Sequence, residues 1–288
     1  MQDTWNSRAE RPSSRRASLD ALFSYGFRPF FLAAGIFAVL LMSVWLAFVT
    51  DVALGGSGTW LPVAGSPYAW HAHEMVFGFA AAAIAGFLLT AVPNWTGALP
   101  ISGGPLVALT LLWFSGRLAM ACSAILSAWL VTLLDLAFIP VLGGFAASQL
   151  FVRPAARNLV FLGLLGLLFA GNAAYHLATF GVISIDPLEL LRSALLVVAI
   201  TIAVIGGRII PSFTHNWLHL NRPGAPLPRR IVPLDAASVL SIAAILFARL
   251  LGAPALIEGL IALAAVILNA ARLALWRGWS TRAEPIVW

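Results

Sequence analysis

The sequence predicts an all-α, polytopic helical membrane protein of about eight transmembrane helices with both termini cytoplasmic. Three observations lead there. Of the 288 residues, 61% are hydrophobic and 10% charged, with a mean hydropathy of +0.94, whereas a soluble domain carries about 25% charged residues. Apolar runs of the length a bilayer demands, about 20 residues, recur eight times along the chain. The 17 basic residues are all arginine, and most lie in the short polar segments between those runs.

Residues 1–28 are polar and hold Arg8, Arg11, Arg15, Arg16 and Arg28. Arg15-Arg16 resembles a twin-arginine export signal, but Asp20 follows and no small-residue cleavage site closes the first span. A retained cytoplasmic tail is the better reading. Residues 29–288 then form one helical transmembrane domain. Its spans are expected at 29–49, 73–92, 105–121, 123–151, 159–180, 188–207, 234–251 and 255–276. The fourth contains Asp135 and Pro140, which predicts a kink or tilt. Pro211, after Gly206-Gly207-Arg208-Ile209-Ile210, is expected to disfavour further helix beyond the sixth span.

With the N-terminus inside, fourteen arginines fall on the cytoplasmic side and three (Arg117, Arg192 and Arg249) on the outer side. That asymmetry follows the positive-inside rule and agrees with an even number of spans. It also accounts for the sequence pI of about 10.9 without nucleic acid, because the basic residues line membrane loops rather than one binding face. The lone cysteine, Cys122, excludes an internal disulfide and any multi-cysteine zinc or iron–sulfur site in one chain.

Functional candidates concentrate at Trp70-His71-Ala72-His73-Glu74-Met75, where the second span begins. Ionisable groups at membrane depth are costly and are functional-site candidates by default, and imidazole is the commonest protein ligand for haem iron and copper. His71 and His73 lie about 200° apart on a regular helix and so cannot face one partner together. His71 shares a face with Glu74 and Met75. His176, near the outer end of the fifth span, can lie at the same depth as His71 and His73. One of these two with His176 would make an axial pair for a haem, with Arg117 as a cation for its propionates. His215 and His219, at i and i+4 on the inner side, would form a second metal or haem site if helical, with Arg208 anchoring a propionate or lipid phosphate. A topology-setting role for Arg208 is equally consistent. Met120 and Cys122, with Met75, His71 and His73 on the same side, offer soft donors for copper; packing groups are the plainer account of such sulfurs. A zinc-protease motif is excluded, since the second histidine position after His73-Glu74 is Phe77. The intramembrane acids Asp135 and Glu258 are open to three readings: neutral, paired, or part of a proton path.

Several segments together resemble the NnrS family of bacterial membrane proteins. They are Gly26-Phe27-Arg28-Pro29-Phe30-Phe31-Leu32, the run from Trp70 to Phe79, Phe87-Leu88-Leu89-Thr90-Ala91-Val92-Pro93-Asn94-Trp95-Thr96-Gly97, Gly171-Asn172 with His176, and the run from Gly206 to Thr214. The likeness covers residues 22–288 in order. It implies a multi-span protein of the bacterial cytoplasmic (inner) membrane that contains haem and copper and is linked to nitric oxide stress and denitrification. Its partners would be the lipid bilayer and nitric oxide or a related small ligand. Members usually have about twelve spans, so the eight here imply a C-terminally truncated chain that lacks the last ones. Two other functions compete: a transporter or metal-handling subunit using Asp135 and Glu258, and a non-functional remnant. A catalytic nitric oxide reductase is disfavoured by a supply of only five histidines.

Overall fold

The computed structural model describes residues 14–152, 155–282 and 284. Arg8, Arg11 and Arg153, three of the fourteen arginines counted on the cytoplasmic side, lie outside them. Of the described residues 78% are helical, and none is in a strand. Among the described residues, eight helical stretches are long and apolar enough to cross a membrane, and each overlaps one of the eight expected spans.

Two compact units divide the chain, residues 1–162 and 163–288. The first contains α1 (Ser14–Leu22), α2 (Phe27–Ala53), α3 (Pro67–His73), a π-helical segment (Glu74–Ala80), α4 (Ala81–Thr96), α5 (Gly104–Ala121), α6 (Ala128–Leu136) and α7 (Phe138–Leu150). The helix α8 (Ala156–Thr179) runs across the division. The second unit continues with α9 (Pro187–Asn221), α10 (Val232–Leu250), α11 (Ala255–Trp276) and a closing 3₁₀ turn (Gly278–Thr281).

In the first unit α2 packs on the π segment and α4, α4 on α7, and α5 on α6 and α7. The joint between α2 and α4 explains two motifs at once. A Cβ at Gly26 would overlap the Leu89 side chain, and the Phe27 amide donates to Thr90 Oγ1 at 3.1 Å. Arg28 closes the corner by donating to the Ala21 carbonyl at 2.6 Å. The second span outruns its expected end at residue 92: Pro93 sits inside α4, which stops only at Gly97 in the left-handed conformation (φ 71°). Glycine adopts that conformation without strain, so it terminates helices where other residues would not.

The fourth span breaks as expected. Pro140 has no amide to return to Leu136, and α6 gives way to α7 at Ala137.

In the second unit α9 packs on α10 and the closing turn, and α10 on α11. Asp186 caps α9 by accepting from the Leu188 amide at 2.9 Å, with Pro187 in the first turn. The expected stop at Pro211 is overturned, since α9 continues through it to Asn221. Proline costs a helix one hydrogen bond, and packing can offset that in a long membrane helix. Pro211 is buried.

The glycine pair before it has a specific use. A Cβ on Gly207 would collide with the guanidinium of Arg272, whereas one on Gly206 would meet only Ile210 at 3.5 Å and Trp276 at 3.9 Å. Arg272, 4% exposed, donates to Asp235 at 2.8 Å and to the Ala203 carbonyl at 3.0 Å, and lies over the Trp276 ring at 4.6 Å. One arginine thus ties α9, α10 and α11 together.

Candidate functional site

The site is built on the second span, where regular helix gives way to a π-helical segment directly after His73. Such segments shift the side-chain register within a helix and recur at functional sites. Here the register change accompanies two close approaches. The Trp113 indole donates to the Gly78 carbonyl at 3.1 Å. A Cβ on Gly78 would stand 2.6 Å from Phe37 and 3.2 Å from the Arg117 side chain, so α2 and α5 close on the segment where it has no side chain.

A second glycine brings α6 to the same place. A Cβ on Gly116 would stand 3.2 Å from the Leu134 carbonyl oxygen and 3.3 Å from Asp135 Cα, so α5 and α6 touch nearly backbone to backbone. Arg117, the next residue, is therefore delivered beside Asp135.

Four ionisable side chains converge inside the first unit. Arg117 Nη1 donates to Glu74 Oε1 at 2.5 Å, and Nη2 donates to Asp135 Oδ1. His73 Nδ1 lies 3.0 Å from the same Glu74 oxygen, and its Nε2 lies 3.2 Å from Asp135 Oδ2. Exposure is 0% for His73, 1% for Glu74, 2% for Asp135 and 5% for Arg117, so water does not screen these charges. At that depth unpaired ions are prohibitively costly, and breaking one buried pair typically costs about 3–5 kcal/mol.

Ionised carboxylates only accept hydrogen bonds. Both ring nitrogens of His73 are satisfied together only when the group holds one more proton, on the imidazole or on an acid. With that proton the four groups sum to zero charge. The cluster can therefore hold and exchange a proton, or exchange it for a cation held by the imidazole with one of the two carboxylates, since Glu74 faces one ring nitrogen and Asp135 the other. Nitrogen and oxygen donors of this kind suit divalent ions of the first transition row more than Cu(I).

The remaining candidates lie apart from this cluster or in the second unit. His71 faces a different neighbour, its ring stacked on Trp45 at 4.2 Å and 14°, with a buried Nδ1 that has no hydrogen-bond partner. Helical geometry had separated the two histidines, and they do serve different surroundings. Met75 is half-buried on the π segment. Cys122 is half-buried at the end of α5 and lines a cavity with Trp70, Glu74 and Arg117. Both terminal nitrogens of Arg117 are committed to acids rather than held ready for a propionate.

His176 is buried near the end of α8, edge-on to Tyr175 at 5.5 Å. His215 and His219 lie on α9 beyond Pro211, both exposed, their rings nearly parallel at 6.2 Å. Arg208 is half-buried on the same helix.

Glu74 and Asp135 are the members of the cluster that composition and spacing undervalue. Glu74 was read only as a neighbour of the histidines, and Asp135 as an acid with three possible states. The available signal was charge balance: Arg117 and Asp135 are opposite charges in adjacent apolar spans, each needing a partner. Glu258, the other intramembrane acid, accepts from Arg249 at 2.8 Å, and Arg249 also donates to Glu189 at 2.9 Å.

Fold and site define a polytopic helical membrane protein with a buried histidine–carboxylate–arginine cluster drawn from its second, third and fourth spans. The chain matches the family described as NnrS protein over residues 21–288 and belongs to that family. No curated protein and no solved structure matched it.

Proposed function

We propose that this protein is a haem- and copper-containing protein of the bacterial cytoplasmic membrane that serves the response to nitric oxide and denitrification, with both termini on the cytoplasmic side. Family membership suggests metal or haem binding. The observation that carries the reading is the fully buried His73 imidazole between the carboxylates of Glu74 and Asp135. Haem iron and copper both bind nitric oxide, which gives the link to that gas a chemical basis.

The two cofactors fit the first unit differently. A metal ion would be held by His73 with one carboxylate, Glu74 at Nδ1 or Asp135 at Nε2, where it would take the place of the shared proton and add a redox centre. Haem does not suit the cavity of the same unit. An axial ligand needs a ring nitrogen with a free lone pair, yet both nitrogens of His73 face carboxylates and no histidine lines that cavity. Haem therefore enters the proposal through the other histidines: His176 on α8, and His215 and His219 with Arg208 on α9. The transporter reading has less support, because Asp135 and Glu258 are both held by arginines.

The test is an optical spectrum with a pyridine haemochrome assay and metal analysis on the purified full chain. A Soret band with bound copper or iron is expected. Protein reconstituted with haem and copper that retains neither would overturn the proposal.

A further inference from the structure

The first unit contains a cavity of about 650 Å³ between α2, the start of the second span and α5. That volume lies in the range of small-molecule sites, about 300–1,000 Å³. Its walls are apolar except for Trp70, Glu74, Arg117 and Cys122. Ile36, Leu40, Phe114 and Leu118 also line it and are half or more exposed on membrane-spanning helices. The mouth therefore faces the hydrocarbon of the bilayer, and a ligand would enter from the lipid.

Two donors bordering this cavity are unsatisfied. Trp70 Nε1 and Arg117 Nε are buried with no hydrogen-bond partner, and Trp70 as a whole is 5% exposed. A buried N–H left without an acceptor costs about 1–3 kcal/mol, so an occupant bringing an acceptor oxygen would recover that loss. An anionic head group is not favoured, because Glu74 and Asp135 already neutralise Arg117. Four aromatic side chains, Phe37, Trp70, Trp113 and Phe114, stand in the wall, and aromatic faces favour a flat ring over a flexible chain.

We propose that this cavity is a binding site for a lipid-soluble quinone, whose ring carbonyl accepts from the Trp70 indole and whose apolar chain leaves past Leu118 into the bilayer. The site borders the proposed metal site at Glu74, but its test needs neither bound metal nor haem. Glycerolipids also bring carbonyl oxygens, on ester groups, and the experiment separates the two sources.

The full chain is reconstituted in nanodiscs of saturated phosphatidylcholine and titrated with a radiolabelled benzoquinone carrying a ten-carbon chain. Saturable binding at about one molecule per chain is expected, undisturbed by a diacylglycerol of matched chain length. Trp70→Phe keeps an aromatic ring without the donor and should weaken binding about 3- to 10-fold, the worth of one hydrogen bond. Leu118→Trp, at the exposed mouth, should abolish binding while leaving thermal stability within about 0.5 kcal/mol, as expected of a surface change. Non-saturable partitioning, displacement by diacylglycerol, or unchanged affinity in folded Leu118→Trp protein would each overturn the site. Its loss would leave the haem and metal measurements untouched, so the two proposals fail separately.

Discussion

His73 Nε2 lies 3.2 Å from Asp135 Oδ2, joining the second span to the fourth through two residues 62 positions apart, both without solvent exposure at the side chain. The contact turns two isolated membrane-depth charges into one neutral group. It depends on Arg117, which bonds the second oxygen of Asp135 and the carboxylate of Glu74. The stability of this part of the fold therefore rests on four mutually paired side chains.

Removing one member should be far worse than removing charge in a balanced way. Arg117→Met leaves two acids against one histidine and should cost about 3–5 kcal/mol, the usual penalty for breaking a buried pair. The double variant Arg117→Met with Asp135→Asn should recover part of that loss. Thermal unfolding of the purified variants decides it, and simple additivity of the two losses would count against a coupled cluster.

Glycines in this fold differ sharply in tolerance. Gly78→Ala places a methyl group 2.6 Å from Phe37 and should destabilise by about 1–3 kcal/mol, the cost of overpacking. Gly144→Ala, on α7 with nothing within 4 Å of its Cβ position, should be neutral or stabilising by up to about 1 kcal/mol, from helix propensity. Equal melting temperatures for the two would contradict the close approach at the π segment.

The pair Gly206-Gly207 should split in the same way. Gly207→Ala drives Arg272 from its place and should loosen its bonds to Asp235 and the Ala203 carbonyl. Gly206→Ala meets nothing closer than 3.5 Å and should be tolerated. Protease sensitivity of the loop between α9 and α10 is a direct readout, with a rise expected for the first variant alone.

The candidate ligand histidines can be ranked by metal removal. If His73 holds a metal ion, His73→Ala should abolish its retention, while His219→Ala, on an exposed helix face, should leave it unchanged. His176→Ala should alter a haem spectrum more than His219→Ala. Metal analysis and absorbance after dialysis against a chelator check both, and a larger loss from His219→Ala would move the centre to α9.

Surface ion pairs should matter little by comparison. Arg192, 62% exposed at its side chain, pairs with Glu189 within one helix turn. Arg192→Gln should change the melting temperature by no more than a degree or two, because water screens such pairs. A drop comparable to that of Arg117→Met would contradict the distinction between screened and buried pairs.

Much of this protein was determined by the sequence alone. Hydrophobic run length sets the number of spans because an unpaired backbone cannot enter lipid, so each apolar run of bilayer length becomes a helix. The break near Pro140 and the separation of His71 from His73 are equally local, the first from a missing amide and the second from the angle per residue. What lay beyond sequence was which distant groups meet. Pro93 and Pro211 look like helix ends, yet tertiary packing carries α4 and α9 through them. By sequence Arg117 reads as a cation for haem propionates, and only the approach of α5 to α6 at Gly116 makes it the counter-ion of Asp135. Local geometry could name the charged residues in the spans. Only the tertiary structure decided how they pair, because the energy of a buried charge depends on the few ångströms to its partner and not on its place in the chain.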